Sequence, residues 1–317
     1  MRGAPFRGAG GVPTPPGMTE SDFIARLRTL PLHPGARGLA DDVAVLGGLI
    51  VTSDTLVEGV HFLPGDPAPD VAWKLVATNL SDLAAKGAAV EGVMLNYPLR
   101  DADWDAAFLD GLAAVLAAYD VALIGGDTVS LPAGAPRVLT LTAFGTAFGT
   151  AFGRDARAPA RSGARAGDGL WVTGTIGGAG AGLAIARAGV GDAALLARYR
   201  RPVPRLAEGR ALAPLVHAMM DVSDGLLIDA ARMAAASGVA VTVALDAVPL
   251  PAGVDDALAA ATAGDDYELL FAAPPGFVPP VPATRVGAFA AGAGLTLTRD
   301  GAPVALPRHL GFQHGLR

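Results

Sequence analysis

Residues 51–62 read VTSDTLVEGVHF, and this stretch sets the pattern that decides the fold. It begins in a short apolar run, Leu49–Val51, and then changes abruptly to the hydroxyls of Thr52 and Ser53 and the carboxylate of Asp54. An apolar run bounded in this way predicts a β-strand that ends at Asp54. We therefore expect this strand to deliver oxygen-bearing side chains to one edge of a sheet.

Five further clusters of acidic residues show a similar pattern. They are Asp41-Asp42, Asn79-Leu80-Ser81-Asp82, Gly125-Gly126-Asp127-Thr128, Asp221-Val222-Ser223-Asp224-Gly225 and Gly264-Asp265-Asp266-Tyr267-Glu268. Each cluster alone has an ordinary explanation. Asp54 could cap a turn, Gly-Gly-Asp is common in turns, and Ser223 or Asp224 could be the N-cap of the next helix. Asp82 lies on a predicted helix, where it is either solvated or faces inward and needs a partner.

Taken together, the clusters indicate binding of several divalent cations. Oxygen ligands favour Mg²⁺, and several Mg²⁺ ions indicate polyphosphate chemistry. Of the 24 basic residues only Lys74 and Lys86 are lysines. We therefore expect lysine to contribute little to phosphate binding, and arginine or metal ions to neutralise the charge.

Composition limits the protein class. At 317 residues, with 51% apolar and 17% charged residues, the chain is predicted to be globular with two domains. The absence of cysteine excludes disulfides, thiolate metal sites and a cysteine nucleophile. The net charge of −6 without a basic run argues against nucleic acid as a partner. No apolar stretch is long enough for a membrane span or a secretory signal, so we expect a cytoplasmic enzyme without membrane contact.

Helices and strands are predicted to alternate, which indicates an α/β fold. The first predicted helix begins near Ser21 and is ended by Pro31. Further helices are predicted at 70–86, 104–119 and 226–237, and a glycine-rich turn with a helix at 174–188. The predicted strands cover 43–46, 49–54, 91–97, 121–124, 138–144, 170–172, 239–245, 268–272 and 295–298. Residues 142–153 contain three tandem copies of the tetrapeptide TAFG, which are too short for a structural repeat. We predict a disordered tail at 1–17, an N-terminal domain at 18–153 and a C-terminal domain at 154–317.

Common nucleotide-binding motifs are missing. The chain has no Gly-x-x-x-x-Gly-Lys-Ser/Thr loop, and Lys86 lacks that context. It also has no His-Arg-Asp kinase loop. Residues 174–182 are rich in glycine, but their spacing does not match Gly-x-Gly-x-x-Gly.

The motifs as a set resemble the thiamine-monophosphate kinase family, within the aminoimidazole-ribonucleotide-synthetase-like superfamily. The matching segments occur in the family's order and cover about residues 19–314. They are Thr52–Phe62, Asn79–Gly87, Leu123–Thr128, Arg161–Ala164, Asp221–Leu226 and Gly264–Leu269. The resemblance implies ATP-dependent phosphorylation of thiamine monophosphate to thiamine diphosphate. It also implies a two-domain fold and a homodimer formed through strands of the N-terminal domain.

Site residues follow from the resemblance position by position. Several Mg²⁺ ions would be held by Asp41, Thr52, Ser53, Asp54, Asp82, Asp127, Asp221 and Asp224. ATP, the co-substrate, would contact Gly126, Asp127, Arg161 and Ser223. Thiamine monophosphate would contact His61, Asp265 and Phe312. His61 has an ordinary alternative as a packed, hydrogen-bonded residue. No residue is assigned as a general base, since a phosphate oxygen is already a nucleophile at neutral pH.

Other functions remain open from the residues. A ligase of the aminoimidazole ribonucleotide type would share ATP and acidic metal sites. A phosphatase with several metal ions would hydrolyse ATP without an acceptor, and a non-catalytic protein would only bind Mg-nucleotide. Selenophosphate synthesis is disfavoured because cysteine is missing.

Overall fold

Two β-sheets organise the part of the chain that the computed structural model describes, residues 19–147 and 158–314. The first sheet has the order β1-β2-β5-β3-β4. Its strands are β1 (Ala44–Leu46), β2 (Leu49–Val57), β3 (Ala89–Leu99), β4 (Leu123–Ser130) and β5 (Val138–Thr146). The second sheet has the order β12-β11-β8-β10-β6-β9-β7. Its strands are β6 (Gly169–Thr173), β7 (Ala218–Asp221), β8 (Ala240–Ala244), β9 (Leu269–Ala273), β10 (Ala283–Ala290), β11 (Gly294–Arg299) and β12 (Ala302–Val304).

Helices pack on both sheets. In these residues they are α1 (Glu20–Leu27), α2 (Ala68–Ala85), α3 (Ala102–Tyr119), α4 (Gly178–Ala188), α5 (Ala193–Arg200), α6 (Leu206–Leu212), α7 (Leu226–Ser237) and α8 (Ala257–Ala263). Thr19 is the N-cap of α1, and it forms a capping box with Asp22. None of the helices in the described ranges is both long and apolar enough to cross a membrane alone, although α4 and α5 pass such a test as a pair bent by 105°.

Helix α2 lies at the centre of the molecule. Leu75, Leu80 and Leu83 are fully buried in the core of the first sheet. The two sheets belong to two units of the chain, the first up to residue 147 and the second from residue 158. On another side of α2, Ala84 and Ala85 pack against β7, β9 and α6 of the second unit. The helix ends as predicted at Gly87, whose φ of 62° lies in the left-handed region. Because both sides of α2 are covered, its polar side chains are buried as well, and they meet the acidic clusters of other segments.

Strand β2 is longer than predicted. It does not end at Asp54 but continues to Val57, and it pairs with β5 from Leu49 opposite Thr146 to Val57 opposite Val138. The β-branched residues after Asp54 favour continued pairing. Side chains alternate along a strand, so Thr52 and Asp54 face α2, whereas Ser53 lies on the opposite, exposed face.

Other predicted boundaries need correction. Gly125, Gly126 and Asp127 lie inside β4 rather than after it. A Cβ at Gly126 would lie 1.8 Å from the Leu95 carbonyl oxygen, so close strand pairing explains this glycine. The predicted glycine-rich turn and helix at 174–188 are confirmed, with α4 beginning at Gly178. The elements that were not predicted are α5, α6, α8, β7, β10 and β12.

The TAFG copies fall only partly in the described chain. The first copy, 142–145, lies within β5, and the second begins with the last residue of that strand. Residues 148–153 of the repeat, the predicted boundary at 153/154 and the predicted tail at 1–17 lie outside the described residues.

Candidate active site

Three carboxylates from distant segments meet between the two sheets. Asp42 comes from the loop before β1, Asp82 from α2 and Asp221 from the end of β7. One ligand oxygen from each of the three lies within 4.8 Å of the others. Oxygens around an octahedral Mg²⁺ at about 2.1 Å are separated by roughly 3–4 Å, so small movements would fit this set to one ion. The all-oxygen donor set also suits a hard cation.

Burial and mutual repulsion raise the pKa values of Asp54, Asp82 and Asp221, whereas Lys86 and Arg161 outweigh burial at Asp42 and lower its pKa to about 2. Burial, followed by the charges of Asp42 and Asp224, raises the pKa of Asp54 to about 6. Burial also raises the pKa of Asp221 to about 8 and that of Asp82 well above its ordinary value, and neighbouring aspartates add to both shifts. A divalent cation would remove this repulsion.

Hydrogen bonds from uncharged side chains orient the carboxylates. The Thr52 hydroxyl donates to Asp82 Oδ2. The Ser81 hydroxyl donates to Asp221 Oδ2 at 2.6 Å, and so links α2 to β7. Asn79 Oδ1 accepts from the Asp54 backbone N–H at 3.1 Å. The polar residues of α2 therefore fix carboxylates from both units. Asp82 is buried rather than solvated.

Lys86 supplies a buried positive charge beside the three carboxylates. Its ammonium group donates to Asp41 Oδ1 at 2.6 Å, Asp42 Oδ2 at 2.7 Å and the Met219 carbonyl oxygen at 3.1 Å. Burial alone would lower the pKa of Lys86, but Asp42 and Asp41 outweigh it and raise this pKa. Lys86 therefore balances charge on Asp41 and Asp42, and the expectation that lysine contributes little to phosphate binding stays a prediction. The one sequence signal was the position of Lys86, four residues after Asp82 on the same helix.

Cations bind both Asp41 and Asp42. Asp41 accepts from Arg37 at 2.5 Å and from Lys86, and Asp42 accepts from Lys86 at 2.7 Å and from Arg161. Of the two, Asp42 belongs to the three-carboxylate cluster. Metal binding by Asp41 stays a prediction.

Arginines also reach the acidic residues. Arg161 donates to Asp42, and its buried Nε has no hydrogen-bond partner within residues 19–147 and 158–314. Arg232 donates to Asp224 and, at 3.0 Å, to Asp229. The structure thus brings Arg161, Asp42 and Asp54 to one cleft, with the positive charges already paired.

Ser223 and Asp224, in the loop before α7, do not cap this helix. The N-cap of α7 is Gly225, without a side-chain cap, so the ordinary explanation for these two residues fails. Instead, the carboxylate of Asp229, in the first turn of α7, accepts hydrogen bonds from the backbone N–H groups of Asp224 and Gly225 at 3.1 and 3.2 Å. The Asp224 side chain can therefore face the cleft.

The residues expected to bind the second substrate form a separate group. The His61 and His314 rings lie 5.3 Å apart between centroids, and the His314 and Phe312 rings 4.9 Å apart. Asp265 is linked to His61 through Lys74, which binds the carboxylate of one and the carbonyl of the other. The sequence analysis named His61, Asp265 and Phe312 but missed Lys74 and His314.

A cavity of about 390 Å³ opens beside the acidic group. Its lining includes Asp41, Asp42 and Asp54. It also includes apolar side chains from α1 and the following 3₁₀ turn, among them Ile24, Leu27 and Leu39. The cavity therefore has both charged and apolar lining.

Comparisons with known proteins give the family. Residues 40–150 match the family model described as AIR synthase related protein, N-terminal domain, and residues 165–299 match the corresponding C-terminal domain. A thiamine-monophosphate kinase from Caulobacter vibrioides is 38% identical over 94% of this chain and 91% of its own. One from Salmonella typhimurium is 40% identical over 84% of this chain and 88% of its own. The chain belongs to the thiamine-monophosphate kinase family.

Solved structures agree with this assignment. The structure described as AaThiL complexed with AMPPCP and TMP has a TM-score of 0.78 at 27% identity, and covers 94% of this chain and 97% of that chain. The thiamine-monophosphate kinase from Stenotrophomonas maltophilia has a TM-score of 0.70 at 37% identity, with coverages of 89% and 96%. The predicted family and the two-domain fold class are thereby confirmed.

Two residues expected from the thiamine-monophosphate kinase motifs lie away from the three carboxylates. Strand pairing connects Asp54 to Gly126 through Leu141 and Leu95, which is three strand spacings or about 14 Å along the sheet. Asp127 pairs with Asn96, whose side chain is exposed on the face opposite α2. Within one chain, Gly126 and Asp127 are therefore not brought to the cluster, and the Ser53 hydroxyl also faces away from it.

Proposed function

We propose that this protein transfers the γ-phosphoryl group of ATP directly to thiamine monophosphate, which yields thiamine diphosphate. The observation that carries this proposal is the convergence of Asp42, Asp82 and Asp221, together with the hydrogen bond from the Asp265 N–H to the carbonyl oxygen of Ser223, two residues after Asp221. The close relatives named thiamine-monophosphate kinase support the same reaction. The site thus offers a metal-binding half and an acceptor-binding half.

The side chains act by positioning and by charge. Bound Mg²⁺ would neutralise polyphosphate charge, and we propose Asp42, Asp54, Asp82, Asp221 and Asp224 as its side-chain ligands, with several ions in total. Thr52 and Ser81 hold two of these carboxylates in place. No general base is required, because the acceptor phosphate oxygen is already a nucleophile at neutral pH.

Arg161 and Ser223 are proposed to contact ATP. Arg161 has a buried Nε that lacks a partner in the described chain, and such a donor is costly unless a ligand satisfies it. Its guanidinium can exchange the Asp42 carboxylate for a phosphate, which has the same bidentate geometry. His61, Asp265 and Phe312 are proposed to form the thiamine-monophosphate half.

A homodimer would account for Gly126 and Asp127. All eight residues of the edge strand β4 are exposed, including Leu123, Ile124 and Val129. A long apolar edge strand invites pairing with another chain. We propose that β4 lies in the dimer interface, where Gly126 and Asp127 contact nucleotide bound mainly by the partner. The proposed domain division after residue 153 separates this dimerisation unit from the C-terminal unit, and we propose a cytoplasmic location.

Formation of ADP tests the reaction. We expect ADP to form only when ATP, Mg²⁺ and thiamine monophosphate are all present, and to stop in excess chelator. ADP formation without the acceptor would favour a phosphatase, and nucleotide binding without turnover would favour a non-catalytic protein. Sedimentation velocity of the wild type and of Ile124→Asp tests the proposed dimer. We expect a dimer for the wild type and a weakened dimer for Ile124→Asp, because the charge would lie in the β4 interface. A wild-type monomer would contradict the proposed dimer.

A further inference from the structure

We propose that Lys74 is a positioning residue that joins the two halves of the thiamine-monophosphate pocket, and this inference rests on the proposed function. Lys74 lies on α2, and its side chain is only 2% exposed. Buried lysines are rare unless their charge is paired. Since it lies beside residues from both units, its contacts define what it can do.

The contacts of Lys74 connect the first unit with the second. Its ammonium group donates to the His61 carbonyl oxygen at 2.9 Å and to Asp265 Oδ2 at 2.6 Å. It also lies 4.4 Å from the centre of the Tyr199 ring. The Tyr199 hydroxyl donates to Asp66 Oδ2 at 2.7 Å, which returns the network to the first unit. One cation therefore sets the distance between the His61 loop and the Asp265 loop.

Hydrogen bonds to both its side chain and its backbone fix the position of Asp265. Besides Lys74 at Oδ2, Asp265 Oδ1 accepts from the Tyr267 hydroxyl at 3.1 Å. Its backbone N–H donates to the Ser223 carbonyl oxygen at 2.7 Å, and its φ of 64° lies in the left-handed region. Lys74 already neutralises this carboxylate. Asp265 is thus a hydrogen-bond acceptor of fixed direction, rather than a free counter-ion for a cationic ring.

The His61 ring is fixed in the same way. Its Nδ1 accepts from the Val57 backbone N–H at 3.0 Å, so the neutral ring carries its proton on Nε2. Lys74 holds the carbonyl of the same residue. The pocket then presents one donor, His61 Nε2, and one acceptor, Asp265, at a separation that Lys74 determines. A substrate with a polar heteroaromatic ring can be recognised by such a pair.

An alternative is that Lys74 leaves Asp265 and binds the acceptor phosphate directly. The two roles predict different effects of the substitution Lys74→Met on ligand affinity. A positioning residue affects every ligand that uses the pocket, with or without a phosphate. A phosphate-binding residue affects only ligands that carry the phosphate.

Calorimetry on the full-length protein separates these roles. Lys74→Met is expected to raise the dissociation constants of thiamine monophosphate and of thiamine by the same factor, about 10- to 100-fold. The KM for thiamine monophosphate should rise likewise, whereas the KM for ATP stays unchanged. A loss confined to thiamine monophosphate would overturn the positioning role, as would unchanged binding of both ligands.

Two further variants guard against a general loss of structure. In a double-mutant cycle, Lys74→Met and Asp265→Asn should each weaken thiamine-monophosphate binding, and their combination should weaken it no more than the worse single change. Additive losses would contradict the proposal. Arg201→Met is the matched control, because Arg201 forms the ion pair with Asp70 between the same two units but is 47% exposed. It should leave binding unchanged.

The wild-type protein distinguishes failure of this inference from failure of the proposed function. If the wild type binds neither thiamine monophosphate nor thiamine, the proposed function fails. If it binds both and Lys74→Met binds them equally well, only the role of Lys74 fails. Lysine ¹⁵N NMR gives a second measurement, because Lys74 and Lys86 are the only lysines. We expect the Lys74 ammonium signal to remain protected from solvent exchange when the acceptor binds, and its loss would contradict the positioning role.

Discussion

Raising the pH without Mg²⁺ should destabilise the protein, and Mg²⁺ should remove much of this effect. The pKa of Asp54 is raised to about 6 and that of Asp221 to about 8, and burial also raises the pKa of Asp82 well above its ordinary value. A raised pKa means that the folded state binds protons more tightly than the unfolded state. Stability is therefore greatest below the unfolded pKa near 4, and it is lost as the pH rises toward the folded pKa.

The magnitude follows from the number of protons. Each carboxyl that is protonated when folded and ionised when unfolded changes the free energy of unfolding by about 1.4 kcal/mol per pH unit. Asp221, whose pKa is about 8 in the folded state, satisfies this condition from about pH 5 to about pH 7, so we expect a decrease of at least about 1.4 kcal/mol per pH unit. Asp54, Asp229 and Asp266, with pKa values of about 6, 7 and 7, add to the decrease in the lower part of this range. Asp82 acts in the same direction. Burial lowers the pKa of His61, which acts in the opposite direction and partly offsets the decrease near pH 6.

Urea unfolding at several pH values, with chelator or with saturating Mg²⁺, measures this dependence. Mg²⁺ bound to the ionised carboxylates should flatten the slope, so its stabilising effect should grow with pH. Asp82→Asn removes one titrating group and should flatten the slope in chelator. Stability that stays constant or rises over this pH range in chelator, with the same slope in Mg²⁺, would refute the reasoning.

Three substitutions test other parts of the structure. Lys86→Met leaves two buried carboxylates short of a cation and should lower the free energy of unfolding by about 3–5 kcal/mol in urea titrations; a loss below about 1 kcal/mol would contradict this role. Asp82→Asn should lower kcat at least about 100-fold while the circular dichroism spectrum is kept, and near-normal turnover would show that the site is misplaced. Phe271→Ala, in the apolar cluster between α2, α6 and the second sheet, should cost about 3–5 kcal/mol, and a cost near zero would place this contact outside the core.

Local sequence patterns predicted the regular elements best. Helix α2 was predicted within two residues because its leucines follow a helical period and Gly87 ends it. Helix α7 was predicted with its observed bounds. Short helices such as α5 and α6 were missed, since their stability depends on packing against α2 and α4 rather than on a strong pattern of their own.

Contacts between distant segments could not be read from the sequence. Cations bind both Asp41 and Asp42, and only the fold shows that an oxygen of Asp42 lies close to Asp82 and Asp221. The metal role expected for Ser53 stays a prediction, although strand alternation on the extended β2 places its hydroxyl on the face opposite Asp54. The small number of lysines gave no information about where they lie.

Label transfer from ATP tests the central claim most directly. With ATP labelled at the γ-phosphate, Mg²⁺ and thiamine monophosphate, the label should appear in the terminal phosphate of thiamine diphosphate, in an amount equal to the ADP formed. Asp82→Asn should abolish this transfer. Label that appears in free phosphate at the same rate with and without thiamine monophosphate would contradict the account.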